Sequence, residues 1–254
     1  MIYLLVGLVA GLFGSMTGLG GGIIMVPVMT IFFNIPVHKA VGISLFAILV
    51  NSIISSVSYT KRGFTDFKLG LALEQSTLIG AITGALLAGI INGRVLEIIF
   101  AIVLIFASFQ MMSPMRNLIA EQELRIRALA PIYRIKNIKF GVALSTIAGS
   151  IAGMLGVGGG IFKIPIMYLV MDVPVKVAVA TSSFMIMLTS ASSALIFFLR
   201  GDIYIELALL ISLGIAVGSY IGSRIGIKLR SKWQARLVSF LLFIAGIRML
   251  ISLK

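Results

Sequence analysis

The chain has 254 residues, of which 59% are hydrophobic and only 11% charged, well below the roughly 25% charge of a soluble globular domain, so a soluble fold is excluded. Its formal net charge is +13, yet the basic residues fall in short segments between apolar runs, which points to an anionic membrane face rather than to nucleic acid. With no cysteine and a single histidine, His38, neither a disulfide framework nor a thiolate metal site exists, and no cofactor is expected.

In chain order, apolar stretches predict helices at about 2–17, 23–33, 40–59, 69–91 and 95–112. After a basic stretch at 114–139 they resume at about 140–155, 161–171, 177–199, 204–226 and 234–252. Runs such as 69–91 and 95–112 suit a hydrocarbon core that needs about 20 residues. The first run has no Lys or Arg before it and no small-residue cleavage pattern, so it is expected to belong to the fold and not to a signal peptide. Between 2–17 and 23–33 lies Gly18-Leu-Gly-Gly-Gly-Ile-Ile-Met-Val-Pro27, and between 140–155 and 161–171 lies Gly156-Val-Gly-Gly-Gly-Ile-Phe-Lys-Ile-Pro165. Glycine costs about 1 kcal/mol relative to alanine inside a helix and proline about 3, so each cluster breaks its helix. Unpaired backbone groups are tolerated in hydrocarbon only where protein or a watery cavity meets them. A break of this kind predicts a site.

The two clusters are 138 positions apart, and that one offset also pairs Pro36 with Pro174, Ser44 with Ser182, Ser52 with Ser190, Arg62 with Arg200, Gly80 with Gly218 and Gly84 with Gly222. Such a register identifies a duplicated unit: a first transmembrane repeat at 1–113, a basic cytoplasmic linker at 114–139 and a second repeat at 140–254. The segments flanking each cluster are short, so each pair is expected to dip into the bilayer and return by the same face. That topology brings the linker, the basic loop 224–236, Lys61, Arg62 and Lys68 to one side, as the positive-inside rule requires. Each repeat then crosses an odd number of times, which makes the second copy inverted and places both termini on the non-cytoplasmic side of the cell (inner) membrane. Within the linker, Glu121, Glu123, Arg125 and Arg127 suggest either a short surface helix or a plain connector. The fold class is therefore an all-α polytopic membrane protein of two inverted-topology repeats, each a glycine-broken hairpin plus three transmembrane helices.

Glycines that open a helix expose amide N–H groups at a positive dipole end, an arrangement that accepts anions. On this ground Gly18, Gly20, Gly21 and Gly22, with Gly156, Gly158, Gly159 and Gly160, are candidate ligands of a small anion. Neither cluster matches a dinucleotide loop, because Ile23 and Ile161 occupy the final glycine position. Gly7, Gly11, Gly14, Gly80 and Gly84, spaced three or four apart, read instead as a close-packing stripe. Lys163 stands where the first copy has Met25, deep in an apolar segment. A charge there costs about 2.5–3.5 kcal/mol even on a lenient scale, so it is expected to face water, an anion or a carboxylate. Glu74 is the carboxylate well inside an apolar run. Solvation at the interface beside Lys68 is its expected fate, with pairing to Lys163 and proton coupling as the alternatives. The helix after each hairpin adds Ser44, Asn51, Ser52 and Ser55, and Thr181, Ser182, Ser183, Thr189 and Ser190, along one face. These either line an anion path or bond their own or a neighbouring backbone.

The doubled G-x-G-G-G-x-x-x-x-P element, each copy followed by a proline and a serine-rich helix, resembles the TauE/SafE family of sulfite and sulfonate carriers, also called toluene-sulfonate uptake permeases, over about residues 11–249. That resemblance implies a carrier of sulfur-containing anions such as sulfite, sulfoacetate or other sulfonates, with Pro27 and Pro165 among the matching positions. The expected function is secondary transport of such an anion by alternating access, with an anion channel as the alternative. An enzyme would need paired catalytic groups that the inventory lacks, and a structural scaffold would not need two buried breaks. The expected partners are a small anion and the lipid bilayer, with self-association left open and no nucleic acid.

Overall fold

The computed structural model of the protein describes residues 2–112, 135–226 and 231–252. The stretch Glu121–Arg127 lies outside them. Among the described residues the chain is helical and holds no strand: α1 (Ile2–Thr17), α2 (Gly22–Phe33), α3 (Val37–Thr60), α4 (Phe67–Ala88), α5 (Gly93–Met112), α6 (Ile138–Leu155), α7 (Gly160–Pro165) continued by a π-helical turn (Ile166–Val170), α8 (Val175–Leu199), α9 (Ile205–Gly226) and α10 (Ser231–Ser252). Every expected helix forms. Helix ends follow local chemistry. Asn34 takes a left-handed conformation at φ 51° and its amide reaches back to the Met29 carbonyl to close α2, while the Asp66 carboxylate accepts the Leu69 amide at 2.9 Å and opens α4. Proline inside α7 removes one helical amide, and the helix widens into the π turn directly after it.

Small residues bring helices into backbone contact. A methyl group added to Gly11 would stand 2.6 Å from the Ile215 carbonyl oxygen, which explains the expected stripe. The partners of these glycines also fix chain direction. Gly214, Gly218 and Gly222 lie against Leu4, Leu8 and Leu12, so α1 and α9 run parallel; Thr77 and Ala81 lie against Gly149 and Gly153, so α4 and α6 do the same. Gly42 meets Asp202 and Asn51 meets Ser219, which aligns α3 with α9. Correspondingly, Glu74 meets Thr189 and Ala85 meets Arg200, which aligns α4 with α8. Each of these packings is thus matched by its equivalent 138 positions away.

The helices α3 and α8 cross at the centre, and α5 packs on α10 at the outside, where Ser108 and Ser239 each donate to the other's carbonyl at 2.9 and 2.7 Å. Five helices among the described residues are long and apolar enough to cross a membrane: Val37–Thr60, Phe67–Ala88, Ile138–Leu155, Lys176–Leu199 and Ile205–Ile225. Their outward faces carry exposed Ile79, Ile147, Leu195 and Leu213, an apolar surface suited to lipid. This is a membrane protein.

Candidate functional site

Both glycine clusters break the helix by the same turn. Gly18, Gly20 and Gly21 take φ of 71°, 92° and 84°, and Gly156, Gly158 and Gly159 take 67°, 77° and 78°, the left-handed region that a side chain disfavours. The following helix closes on the last of these: Gly21 O accepts the Ile24 and Met25 amides, and Gly159 O accepts those of Phe162 and Lys163. The amides of Gly22, Ile23, Gly160 and Ile161 therefore stand at helix starts without an intrahelical acceptor. Gly22 and Gly160 are glycine for a different reason. Their φ is ordinary, but a methyl on Gly160 would come 2.7 Å from Leu19 Cα, and one on Gly22 would come 2.7 Å from Ser44 Oγ.

The two turns touch each other at the middle of the molecule. Gly20 and Gly158 both lie against Ile48 and Ile186, residues themselves related by the 138 offset and close to the midpoints of α3 and α8. The turns overlap side by side instead of meeting end-on: Gly18 reaches on to Val179 and Gly156 to Val41, each about two helical turns beyond the central isoleucine. Serine clasps hold them there. Ser44 Oγ donates to Gly156 O at 2.8 Å, and Ser182 Oγ donates to Gly18 O at 3.3 Å, so one bond is made twice, between positions related by the 138 offset.

Beside the second turn lies a charged cluster drawn from three elements. Lys163 of α7 donates to Glu74 Oε2 of α4 at 3.0 Å and to Thr189 Oγ1 of α8 at 2.6 Å. Thr189 in turn lies within hydrogen-bond reach of Glu74 Oε1 and of the Met185 carbonyl. The side chains of Lys163 and Glu74 are 0% and 1% exposed. Glu74 therefore does not reach the interface beside Lys68, as its position in the sequence suggests; the ammonium of Lys163 draws it inward. The one-turn spacing from Gly160 to Lys163 carries the ammonium to the flank of the turn, and its aliphatic stem packs over Gly159. At the place related to it by the 138 offset stand Met25, Asn51 and Ser212, all buried and uncharged. Asn51 Oδ1 there accepts from Ser219, while Ser212 Oγ has no partner among the described residues.

The remaining candidates divide between site and scaffold. Ser44 and Ser182 hold the turns as described. Thr181 is turned to the α4 entry, where its hydroxyl accepts the Asp66 amide at 3.0 Å. Ser183 bonds back to the Val179 carbonyl within its own helix, as do Ser52, Ser55 and Ser190 to theirs. Thr189, one of several hydroxyls on its helix by sequence, acquires its special place only because Glu74 and Lys163 converge on it. Tyr59, whose hydroxyl donates to Ser15 O at 2.7 Å beneath the first turn, carries no mark in the sequence at all.

The profile of a family described as Sulfite exporter TauE/SafE matches residues 3–249. The chain is similar to the probable membrane transporter protein YunE of Bacillus subtilis, 30% identical over 80% of this chain and 80% of that protein. It is also similar to the probable membrane transporter protein MJ0441 of Methanocaldococcus jannaschii, 32% identical over 74% of this chain and 68% of the relative. A third likeness, to the Sulfite exporter TauE/SafE family protein 5 of Arabidopsis thaliana, is 28% identical over 40% of this chain and 23% of that one. No solved structure matches.

Proposed function

The chain belongs to the sulfite exporter TauE/SafE family of membrane transporters, and from that premise we propose that it carries a small sulfur-containing anion, such as sulfite, sulfoacetate or another sulfonate, across the cell membrane by alternating access. The observation that carries this proposal is the central contact of the two glycine turns, one from each repeat, clasped reciprocally by Ser44 and Ser182. Two helix starts whose first amides have no intrahelical acceptor flank that contact, and the Lys163 ammonium lies beside the second, a field suited to an anion in a low-dielectric setting. As the two units move against each other, the clasps break and the turns open to one face at a time.

Chain direction supports an inverted arrangement. The helices α1, α3 and α9 run one way, α4, α6 and α8 run together, and the short connection 61–66 reverses the chain between α3 and α4. The helices α1, α3 and α4 are then each opposed by their copies α6, α8 and α9, which supports a site on a pseudo-two-fold axis near the bilayer midplane. The connections 61–66 and 227–230 then fall with the basic stretch 113–134 on the cytoplasmic face, and both chain ends fall on the other.

Uptake of labelled sulfite into proteoliposomes tests the carrier. Saturable uptake with counterflow is expected; flux that does not saturate and shows no counterflow would identify a channel, and no flux at all would remove the proposal. The chain has no cysteine, so single-cysteine variants at the exposed positions Lys61 and Arg94 test sidedness. An impermeant thiol reagent applied to whole cells is expected to label Arg94→Cys and to spare Lys61→Cys.

A further inference from the structure

We propose that Lys163, Glu74 and Thr189 form a charge-conserving exchange site that takes up one proton together with one monovalent anion, so that the two cross the membrane as a pair. This rests on the transporter function proposed above and deepens it.

Lys163 and Glu74 are fully enclosed and 3.0 Å apart. Taking each ion out of water costs several kcal/mol, and the cost is recovered only while the opposite charge stands next to it. The site therefore tolerates Lys163 with one negative charge, no more and no less. An anion can replace the carboxylate at Lys163 Nζ only if that carboxylate is neutralised. The balanced step is simple. Glu74 gains a proton from water on the open side, the bond from Lys163 Nζ to Glu74 Oε2 breaks, and a new bond forms from the same ammonium to an oxygen of the anion. Lys163 keeps its proton throughout, and the net charge is zero before and after.

Thr189 makes the exchange geometrically cheap. A hydroxyl has one proton and two lone pairs, and this one already accepts from Lys163 at 2.6 Å. With Glu74 ionised, its proton points to Glu74 Oε1. With Glu74 protonated, it turns to the Met185 carbonyl, 3.0 Å away, and its second lone pair receives the new carboxylic O–H. Thr189 is therefore satisfied in both states, and only Glu74 Oε2, uncharged once the carboxyl is protonated, gives up its donor.

Coupling follows from what cannot cross. The empty site, with its ion pair, and the site loaded with anion plus proton are both neutral. A site holding the anion alone carries one excess negative charge, and a protonated empty site leaves Lys163 unpaired. Both are expensive at mid-membrane, so the unit changes face only in the two neutral forms. Among the described residues Lys163 is the charged group that acts on Glu74. The other titratable groups on the surrounding elements are Lys68 on α4, Lys139 at the exposed start of α6, Tyr168 after α7 and Lys176 in the first turn of α8. The uncharged equivalent related by the 138 offset, Met25, Asn51 and Ser212, indicates that the fold itself does not need an ion pair at this place. It also limits the carrier to one such site, hence to one proton and one negative charge per cycle. Within the substrate class proposed above, hydrogensulfite and simple monosulfonates fit that rule, whereas the dianions sulfate and sulfoacetate do not.

Wild-type protein in proteoliposomes enclosing a pH-sensitive dye provides the test, with methanesulfonate as the probe. An inward methanesulfonate gradient is expected to acidify the lumen with one proton per anion, at a rate indifferent to a membrane potential set by potassium and valinomycin. Sulfate is expected to acidify nothing. Glu74→Gln, which imitates the protonated state permanently, is expected to retain exchange of methanesulfonate for methanesulfonate while losing net uptake and proton movement. Saturable methanesulfonate uptake by the wild type without proton movement overturns the coupling and leaves the transporter function standing. Absence of any uptake or exchange of methanesulfonate and hydrogensulfite by the wild type overturns both. If the glutamine variant does not fold, the wild-type stoichiometry decides alone.

Discussion

The buried pair can be taken apart and rebuilt in the image of its uncharged counterpart 138 positions away. Lys163→Met alone strands the Glu74 carboxylate in a site where it is 1% exposed, and Glu74→Ser alone strands the ammonium. Breaking a buried ion pair from one side costs about 3–5 kcal/mol. For a chain of this length each kcal/mol moves the melting midpoint by about 2–4 °C, so each single variant is expected to melt about 6–20 °C below wild type. The double variant places at these positions the residues that the equivalent site already holds, Met25 and Ser212. It removes both charges together, and replacing a whole buried pair is often neutral. The shorter serine leaves a gap worth about 1–2 kcal/mol, so the double variant should melt within a few degrees of wild type and above both singles. The assay is thermal unfolding of purified protein in detergent, read as the loss of monodisperse material after heating. If the two single losses simply add in the double variant, as independent sites do, the pair is not an electrostatic unit and the charge-conservation argument fails. Transport by the rescued double variant should still be absent, since it has no ammonium to receive the anion.

Further expectations concern the scaffold. Gly201 and Gly21 share a left-handed backbone, at φ 73° and 84°, but a methyl on Gly201 meets nothing within 4 Å whereas one on Gly21 would stand 2.7 Å from the Ala10 carbonyl oxygen. Gly201→Ala should therefore cost only the conformational term of about 1–2 kcal/mol, and Gly21→Ala about 1–3 kcal/mol more; equal melting midpoints would contradict the turn geometry. Just past the end of α8 Arg200 binds Asp202 at 2.8 Å and the Ala85 carbonyl at 2.9 Å. Because these side chains are about a quarter exposed or less, Asp202→Asn should cost about 1 kcal/mol or less and lose its effect in high salt, as salt-dependent melting would reveal. Ser108→Ala and Ser239→Ala, which each remove one half of a reciprocal bond at the α5–α10 contact, should each cost about 1 kcal/mol. A loss confined to one of them would show that the contact is not reciprocal.

What the chain announces by itself is local and repetitive. Glycine and proline penalties act within a few residues, so the breaks after Thr17 and Leu155 are legible from Gly18–Gly22 and Gly156–Gly160 alone, and a constant 138-residue offset makes the duplication plain. Apolar run length marks the membrane helices in the same way. Partnership across the fold is not written locally. Lys163 and Glu74 are 89 positions apart, and from sequence the carboxylate has a nearer prospect in Lys68 and the interface; only the parallel packing of α4 on α8 brings it to the ammonium instead. Thr181 and Thr189 look equivalent on one serine- and threonine-rich helix, yet helix placement gives the first to the Asp66 amide and the second to the charged cluster. Even the glycines divide in this way: the conformation of Gly21 follows from its turn, but the need for Gly22 arises from Ser44 and Gly156 pressing on it. Backbone preference is a short-range energy that a sequence displays directly, whereas desolvation and charge pairing depend on which distant groups the packed helices bring within about 3 Å of one another.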